Sequence, residues 1–257
     1  MSTSKFIIGC IKSFVDNYIW YVQYENQIIL IDPGQSVNVI NYITKNNLNL
    51  VAILLTHDHN DHVGGVDDIL NLFPAPVYGN CAKSTIMVNN NQKLKLFKQV
   101  DTTVLYIPGH TNNSICFLLN INQQYHLFSG DTLFAMGCGR VFTNDYMAMF
   151  NSLNLIMNLP ATTIIYPAHE YTMANIEFAK YIEPNNNLIY EREVHEQNKL
   201  KLQQITLPII LQEEVKTNQF LRFNDAELAK ALSNKLNKNV EKGFDCFYNL
   251  RQLKDNY

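Results

Sequence analysis

The feature that most constrains this 257-residue chain is an apolar strand that ends directly in a cluster of ligand-type side chains. Residues 51–55 are apolar throughout, and the next seven, Thr56-His57-Asp58-His59-Asn60-Asp61-His62, include three histidines and two aspartates. Imidazoles and carboxylates packed this densely beside a buried strand stay unsatisfied without a partner. A divalent cation is the simplest partner, and nitrogen and oxygen ligands without sulfur suit zinc, iron or manganese. The alternative is a solvated polar loop.

Three further candidate ligands follow predicted strands in the same way. They are His110 after the run 103–107, Asp131 after 125–128 and His169 after 163–166. In a layered α/β domain, residues beyond strand ends meet at one edge of the sheet, where ligands usually bind. One shared site is therefore predicted. The other two histidines, His126 in a strand run and His195 in a polar helix, are expected to be structural or solvent-facing.

The pattern of elements predicts an α/β layered domain followed by a smaller helical one. Short β-branched and aromatic runs, such as 6–10, 18–22 and 28–31, alternate with turns and helical stretches up to Tyr166. From about residue 172 the spacing is helical (174–182, 186–204, 208–216, 225–236 and 240–254), and no strand is predicted after Tyr166. Ser36 is expected to cap a helix, and Pro208 to lie in a first turn. The predicted domains are residues 1–172 and 173–257.

Composition narrows the classes of function. Twenty Lys and Arg against 23 Asp and Glu give a net charge of −3, which disfavours nucleic-acid binding driven by bulk charge. The apolar runs are far shorter than the ~20 residues of a membrane span, and we see no targeting segment. The five cysteines are scattered, without a C-x-x-C pair, so we expect free thiols. A cytoplasmic protein without a membrane or nucleic-acid partner is the expectation.

Several motifs together resemble the glyoxalase II (hydroxyacylglutathione hydrolase) family of the metallo-β-lactamase superfamily. The Thr-His-x-His-x-Asp-His motif at 56–62, followed by His110, Gly130-Asp131 and His169, is similar to the superfamily pattern. Further segments resemble the narrower family, and they lie at 16–20, 134–142, 167–172, 218–223 and 250–255. The resemblance covers essentially the whole chain.

The resemblance implies a four-layered αββα domain with two divalent metal ions as cofactors. Zinc is the expected metal, and iron or manganese are the alternatives. One ion would be held by His57, His59 and His110, the other by Asp61, His62 and His169, with Asp131 between the two. Two dications carry four positive charges, and two aspartates with one hydroxide carry three negative charges. The site therefore keeps one positive charge. Such a site favours both an ionised water and an anionic tetrahedral intermediate.

For the activity, the resemblance implies hydrolysis of S-(2-hydroxyacyl)glutathione, typically S-D-lactoylglutathione, to glutathione and a 2-hydroxy acid, the second step of methylglyoxal detoxification. A hydroxide at the ion pair would attack the thioester, with Asp61 and Asp131 as catalytic carboxylates. The glutathione would contact Arg140, Phe142, Tyr171, Arg251 and Lys254, partly from the helical domain. Phe142 stands where some relatives carry Tyr, and Thr143-Asn144 replaces a common Glu-Gly. A monomer is expected.

Other functions share this scaffold. A persulfide dioxygenase uses one iron and is disfavoured here, because it needs no second ligand set. A β-lactamase is secreted, which the lack of a targeting segment disfavours. An RNA-processing phosphodiesterase has a basic face, which the net charge of −3 disfavours. A metal-binding module without catalysis is the alternative from another class. A structural zinc site is four-coordinate and closed, so seven candidate ligands favour an open site and an enzyme.

Overall fold

Two six-stranded sheets form the centre of the fold in the computed structural model, which describes residues 6–97 and 100–257. The first sheet contains, in spatial order, β1 (Phe6–Ser13), β2 (Asn17–Tyr24), β3 (Gln27–Ile31), β4 (Asn49–Leu54), β5 (Val77–Gly79) and β6 (Ile86–Met87). The second contains β7 (Lys93–Phe97), β8 (Val100–Tyr106), β9 (Ile115–Ile121), β10 (Gln124–Gly130), β13 (Ile164–Pro167) and β14 (Ile209–Ile210). A hairpin of β11 (Leu133–Phe134) and β12 (Gly137–Cys138) follows β10.

Helices cover the sheets and form most of the C-terminal third. The first four are α1 (Val37–Lys45), α2 (Asn60–Val63), α3 (Val66–Leu72) and α4 (Tyr146–Met157). The last five are α5 (Thr172–Ile182), α6 (Asn187–Lys201), α7 (Leu211–Thr217), α8 (Ala226–Leu236) and α9 (Phe244–Asp255). The predicted four-layered αββα architecture with a helical C-terminal region is confirmed. The division at residues 172 and 173 stays a prediction.

The alternation of side chains along β2 explains why its sheet lies between two layers. Ile19 packs with Val39 of α1 and Ile69 of α3 in one apolar cluster. Trp20 belongs to the larger cluster, which includes Phe117 of the second sheet. Because successive strand residues point to opposite faces, one strand supplies both the helix-facing layer and the layer between the sheets.

Strand direction places the loops that matter for the site at one edge of the second sheet. β8 and β10 are each antiparallel to β9, and β13 is parallel to β10. The carboxyl ends of β8, β10 and β13 therefore lie at the same edge. His110, Asp131 and His169 follow these three ends.

Three local predictions are wrong. A strand does follow Tyr166, because Ile209 and Ile210 pair with β13; two residues are too few to show a period. Pro208 precedes this strand instead of lying in a first helical turn, since α7 begins at Leu211. The Ser36 hydroxyl does not cap α1 but donates a 2.9 Å hydrogen bond to Asp68.

Two broader expectations concern the thiols and the membrane. All five cysteines are free, as expected. Within residues 6–97 and 100–257, no helix combines the length and the apolarity that a bilayer crossing requires.

Candidate metal centre

The three histidines of the first ligand group, which also contains Asp131, present ring nitrogens to one point. His59 Nδ1 lies 3.1 Å from His57 Nε2 and 3.1 Å from His110 Nε2. Asp131 Oδ2 lies 3.5 Å from His110 Nε2. A tetrahedral ion with bonds of about 2.0–2.2 Å needs ligand atoms about 3.3–3.6 Å apart. Burial lowers the pKa of both His57 and His110, which favours the neutral imidazole that binds metals.

The second ligand group contains Asp61, His62 and His169 and shares Asp131 with the first. Asp61 Oδ2 lies 3.3 Å from His169 Nε2 and 3.6 Å from His62 Nε2. Both histidine Nε2 atoms lie 3.4 Å from Asp131 Oδ1. Asp131 therefore presents Oδ2 to the first group and Oδ1 to the second, as a bridging carboxylate does. The structure brings all seven predicted ligands into these two groups.

Two unpaired buried atoms test whether the site fits a cation. Among the described residues, neither His62 Nε2 nor Asp131 Oδ1 has a hydrogen-bond partner. Leaving such a group unsatisfied costs about 1–3 kcal/mol. A divalent ion between the two atoms would satisfy both, so the donor set fits.

The charges of the second group favour a cation. Burial opposes a charge on His62, yet the carboxylates of Asp131 and Asp32 raise its pKa well above the usual value. Against the same effect of burial, Asp131 and Asp61 raise the pKa of His169 to about 10. Despite complete burial, His62 and His169 hold the pKa of Asp131 well below its usual range. A potential that holds protons on two imidazoles holds a metal cation by the same attraction.

Aromatic rings flank both ligand groups. Phe142, whose exposed fraction is 58%, places its ring centroid 5.5 Å from that of His59 and 5.3 Å from that of His110. Tyr171 stacks on His169 with centroids 4.7 Å apart and an interplanar angle of 8°. Each ring therefore forms a wall beside one group.

Two of the three predicted cationic contacts pair with one carboxylate, and the third, Lys254, precedes it in the sequence. Asp255 Oδ1 pairs with Arg251 at 2.9 Å and with Arg140 at 3.3 Å. The Arg140 side chain is 57% exposed, whereas Arg251 is only 4% exposed and donates to the Cys138 carbonyl at 2.9 Å. Burial, reinforced by the charge of Arg251, lowers the pKa of Lys254 to about 8. Two arginines against one acid leave the surroundings of Asp255 positive.

Comparisons with known proteins agree over nearly the whole chain. A family model described as "Metallo-beta-lactamase superfamily" matches residues 14–169, and one described as "Hydroxyacylglutathione hydrolase C-terminus" matches residues 170–257. A hydroxyacylglutathione hydrolase of Haemophilus ducreyi is 38% identical over 254 residues, which cover 97% of this chain and 99% of that protein. The chain belongs to the hydroxyacylglutathione hydrolase family. A second relative of that name, from Shewanella halifaxensis, is also 38% identical, covering 96% of this chain and 98% of its own.

A solved structure supports the fold alone. A metallo-beta-lactamase from Staphylococcus aureus is 21% identical, has a TM-score of 0.66, and covers 98% of this chain and 72% of its own length. The predicted membership of the hydroxyacylglutathione hydrolase family is thus confirmed by sequence, and the αββα architecture by structure as well.

Two carboxylates that contact predicted ligands of this hydroxyacylglutathione hydrolase family member were missed by the sequence analysis. Asp32 Oδ2 lies 3.0 Å from His62 Nδ1 and accepts a 2.6 Å hydrogen bond from the Thr56 hydroxyl. Asp16 Oδ1 lies 2.9 Å from His169 Nδ1. Metal-binding histidines usually donate their other N–H to such a carboxylate. Asp32 directly follows β3, so the rule that located the ligands after strand ends could have located it too.

Proposed function

We propose that this chain hydrolyses S-(2-hydroxyacyl)glutathione thioesters, S-D-lactoylglutathione first, to glutathione and a 2-hydroxy acid. The observation that carries the proposal is Asp131, which presents one oxygen to each ligand group. The curated relatives that match nearly the full chain are named for this activity. Together these findings favour an enzyme over a closed structural metal site.

The proposed ligands are the seven residues of the two groups. His57, His59 and His110 are assigned to one divalent ion, and Asp61, His62 and His169 to the other, with Asp131 shared. The same donors accept zinc, iron or manganese, and we propose zinc. When bound, two such ions supply Lewis acidity and lower the pKa of water from 15.7 toward about 7.

The chain's own residues orient the reaction. The Asp61 side chain is 38% exposed, so its carboxylate can accept a hydrogen bond from the attacking water and direct it at the thioester carbonyl. The rings of Phe142 and Tyr171 flank the same space. The leaving group is a thiolate whose conjugate acid has a pKa of about 8.5, so no protein acid is needed to protonate it.

The positive surroundings of Asp255 suit the substrate. Glutathione carries two carboxylates, and charged hydrogen bonds to cations are the strong class of polar contact. We assign Arg140, Lys254 and Arg251 to these carboxylates, with Tyr171 and Phe142 as ring contacts. Phe142 has no hydroxyl to donate, so its contact with glutathione is apolar.

Steady-state hydrolysis of S-D-lactoylglutathione, with elemental analysis of the same preparation, tests the proposal. We expect about two divalent ions per chain and turnover that stops when a chelator removes them. A preparation that holds two ions and hydrolyses no glutathione thioester overturns it. We also propose a cytoplasmic monomer, because five free thiols suit a reducing compartment. Light scattering of the purified protein tests the monomer.

A further inference from the structure

Asn17, at the start of β2, contacts two members of the second ligand group without being an ionisable ligand itself. Its carboxamide Nδ2 donates a 2.9 Å hydrogen bond to Asp61 Oδ2 and lies 3.4 Å from His169 Nε2. The residue is only 7% exposed. Its side chain thus lies beside the atoms that Asp61 and His169 present to each other.

The backbone that carries Asn17 is fixed to the segment that carries His169. The Tyr18 N–H donates to the Ala168 carbonyl at 2.7 Å, and the Glu170 N–H donates to the Asp16 carbonyl at 2.9 Å. The Trp20 indole N–H adds a 2.7 Å bond to the Pro167 carbonyl. These bonds join the two sheets, so the Asn17 side chain extends from a rigid backbone.

Asp61 depends on such a contact more than its neighbours do. It lies on α2, a helix of four residues, and its side chain is the most exposed of the second group. Asp32 and Asp16 hold the rings of His62 and His169, as described above. Asn17 is the corresponding hydrogen-bond partner of Asp61. Two consecutive residues, Asp16 and Asn17, therefore hold two of the residues assigned to one ion.

The chemistry of the amide explains why this residue is not a cation. A lysine or arginine at the same place would neutralise the Asp61 charge and compete with the ion for it. A neutral N–H donor fixes the carboxylate oxygen and leaves its charge available. We propose that Asn17 is a positioning residue that orients Asp61 and thereby sets the affinity of the second ligand group for its ion.

The test measures Zn²⁺ affinity by competition with a chromophoric chelator, using Zn²⁺ alone as the probe. Removing a hydrogen-bond partner behind a ligand typically lowers metal affinity by about 10–100-fold. We expect Asn17→Ala to lower the affinity of one of the two ions by about this factor and to leave the other unchanged. The urea midpoint of the apoprotein should equal that of the wild type. Asn17→Leu keeps approximately the same side-chain volume without the N–H donor. It should show the same loss of Zn²⁺ affinity as Asn17→Ala.

Asn113→Ala is the matched control. Asn113 donates a 3.2 Å bond to Asp58, which lies in the same loop but in neither ligand group. Both Zn²⁺ affinities should therefore stay at the wild-type value in this variant. Wild-type affinity for both ions in Asn17→Ala and Asn17→Leu overturns the proposal. The proposal is also overturned if both Zn²⁺ affinities fall equally and the urea midpoint of the apoprotein falls as well. That result would indicate a general structural role for Asn17.

The proposal rests on the metal assignment of the proposed function, but not on its substrate. Chelator competition requires no turnover. If the protein fails to hydrolyse glutathione thioesters, the expected selective loss of one Zn²⁺ affinity is still measurable. The two failures are therefore distinguishable.

Discussion

The carboxylate of Glu214 accepts a 2.8 Å hydrogen bond from the backbone N–H of Met136, so a side chain of α7 fixes the turn of the β11–β12 hairpin. Met136 has a φ of +58°, a left-handed conformation that is unfavourable for a residue with a side chain. Asn218, next to α7, donates to the carbonyls of Phe134 and Gly137 at 3.1 and 3.0 Å. The C-terminal region therefore determines the conformation of this hairpin.

The hairpin joins one predicted ligand to a residue whose backbone contacts another. It follows Asp131, and it leads to Arg140, whose carbonyl lies 2.8 Å from His110 Nδ1. The helical region therefore supports the candidate metal centre as well as the predicted glutathione contacts.

Glu214→Gln should destabilise the protein strongly. Glu214 is fully buried and pairs with Arg192 at 2.8 Å, and breaking a buried ion pair typically costs about 3–5 kcal/mol. Urea unfolding measures the loss. Glu213→Gln is the control, because its pair with Lys216 is exposed and worth less than about 1 kcal/mol. Equal losses in the two variants would contradict the anchoring role of Glu214.

Asp131→Ala should lose activity and at least one ion together. Without the shared carboxylate, two dications would face each other with one anion fewer. Elemental analysis and kcat of the same preparation check this. Asp58→Ala should retain both ions, because Asp58 is exposed and lies outside both groups. Two retained ions with near-normal kcat in Asp131→Ala would show that the bridging assignment is wrong.

Asp32→Asn should weaken the second ligand group without disturbing the backbone. Asp32 has a φ of +51°, which asparagine tolerates as well as aspartate does. The amide places a donor or a weaker acceptor against His62, so metal affinity should fall by about 10–100-fold. Chelator competition measures it, with Asp68→Asn as an exposed control. Unchanged affinity would mean that Asp32 does not orient His62.

The KM for glutathione thioesters should rise as the pH passes about 8. This is the pKa of Lys254, which burial and the charge of Arg251 lower from the usual value. The sign follows from the charge: protonated Lys254 attracts a carboxylate below this pH, and the neutral amine above it does not. Lys254→Arg keeps the charge, because the pKa of arginine exceeds 12, and should remove the rise. Parallel pH profiles for the two proteins would exclude Lys254 as the titrating group.

Arg251→Ala and Lys254→Ala should differ in stability. Losing one charged hydrogen bond of about 1.5–3 kcal/mol raises KM by roughly ten- to a hundredfold in either variant, with kcat nearly unchanged. Arg251→Ala should also lower the urea midpoint, because buried Arg251 holds the Cys138 carbonyl and Asp255. Lys254→Ala should not. If both variants keep the wild-type KM, neither residue binds glutathione.

The residues that meet in the two ligand groups were predictable from the sequence, whereas the side chains that hydrogen-bond to them were not. His110 and His169 each follow a strand by a few residues, so a short window contains both the strand and the ligand. Asp16 is separated from His169 by 153 residues, and the hydrogen bond between them depends on how the two sheets pack. The hairpin anchor at Glu214 likewise spans 78 residues and has no local pattern. Contacts between distant segments are set by packing, which periodicity does not encode.

The 3.4 Å approach of His62 to Asp131 has a consequence for how the protein unfolds, because the two residues follow strands of different sheets. An ion held by both would act as a cross-link between the halves of the sandwich. Since the unfolded chain lacks the assembled site, each tenfold rise in free ion above the dissociation constant would stabilise the native state by about 1.4 kcal/mol. Resistance to heat and to proteases would then depend on the metal supply, apart from any catalysis.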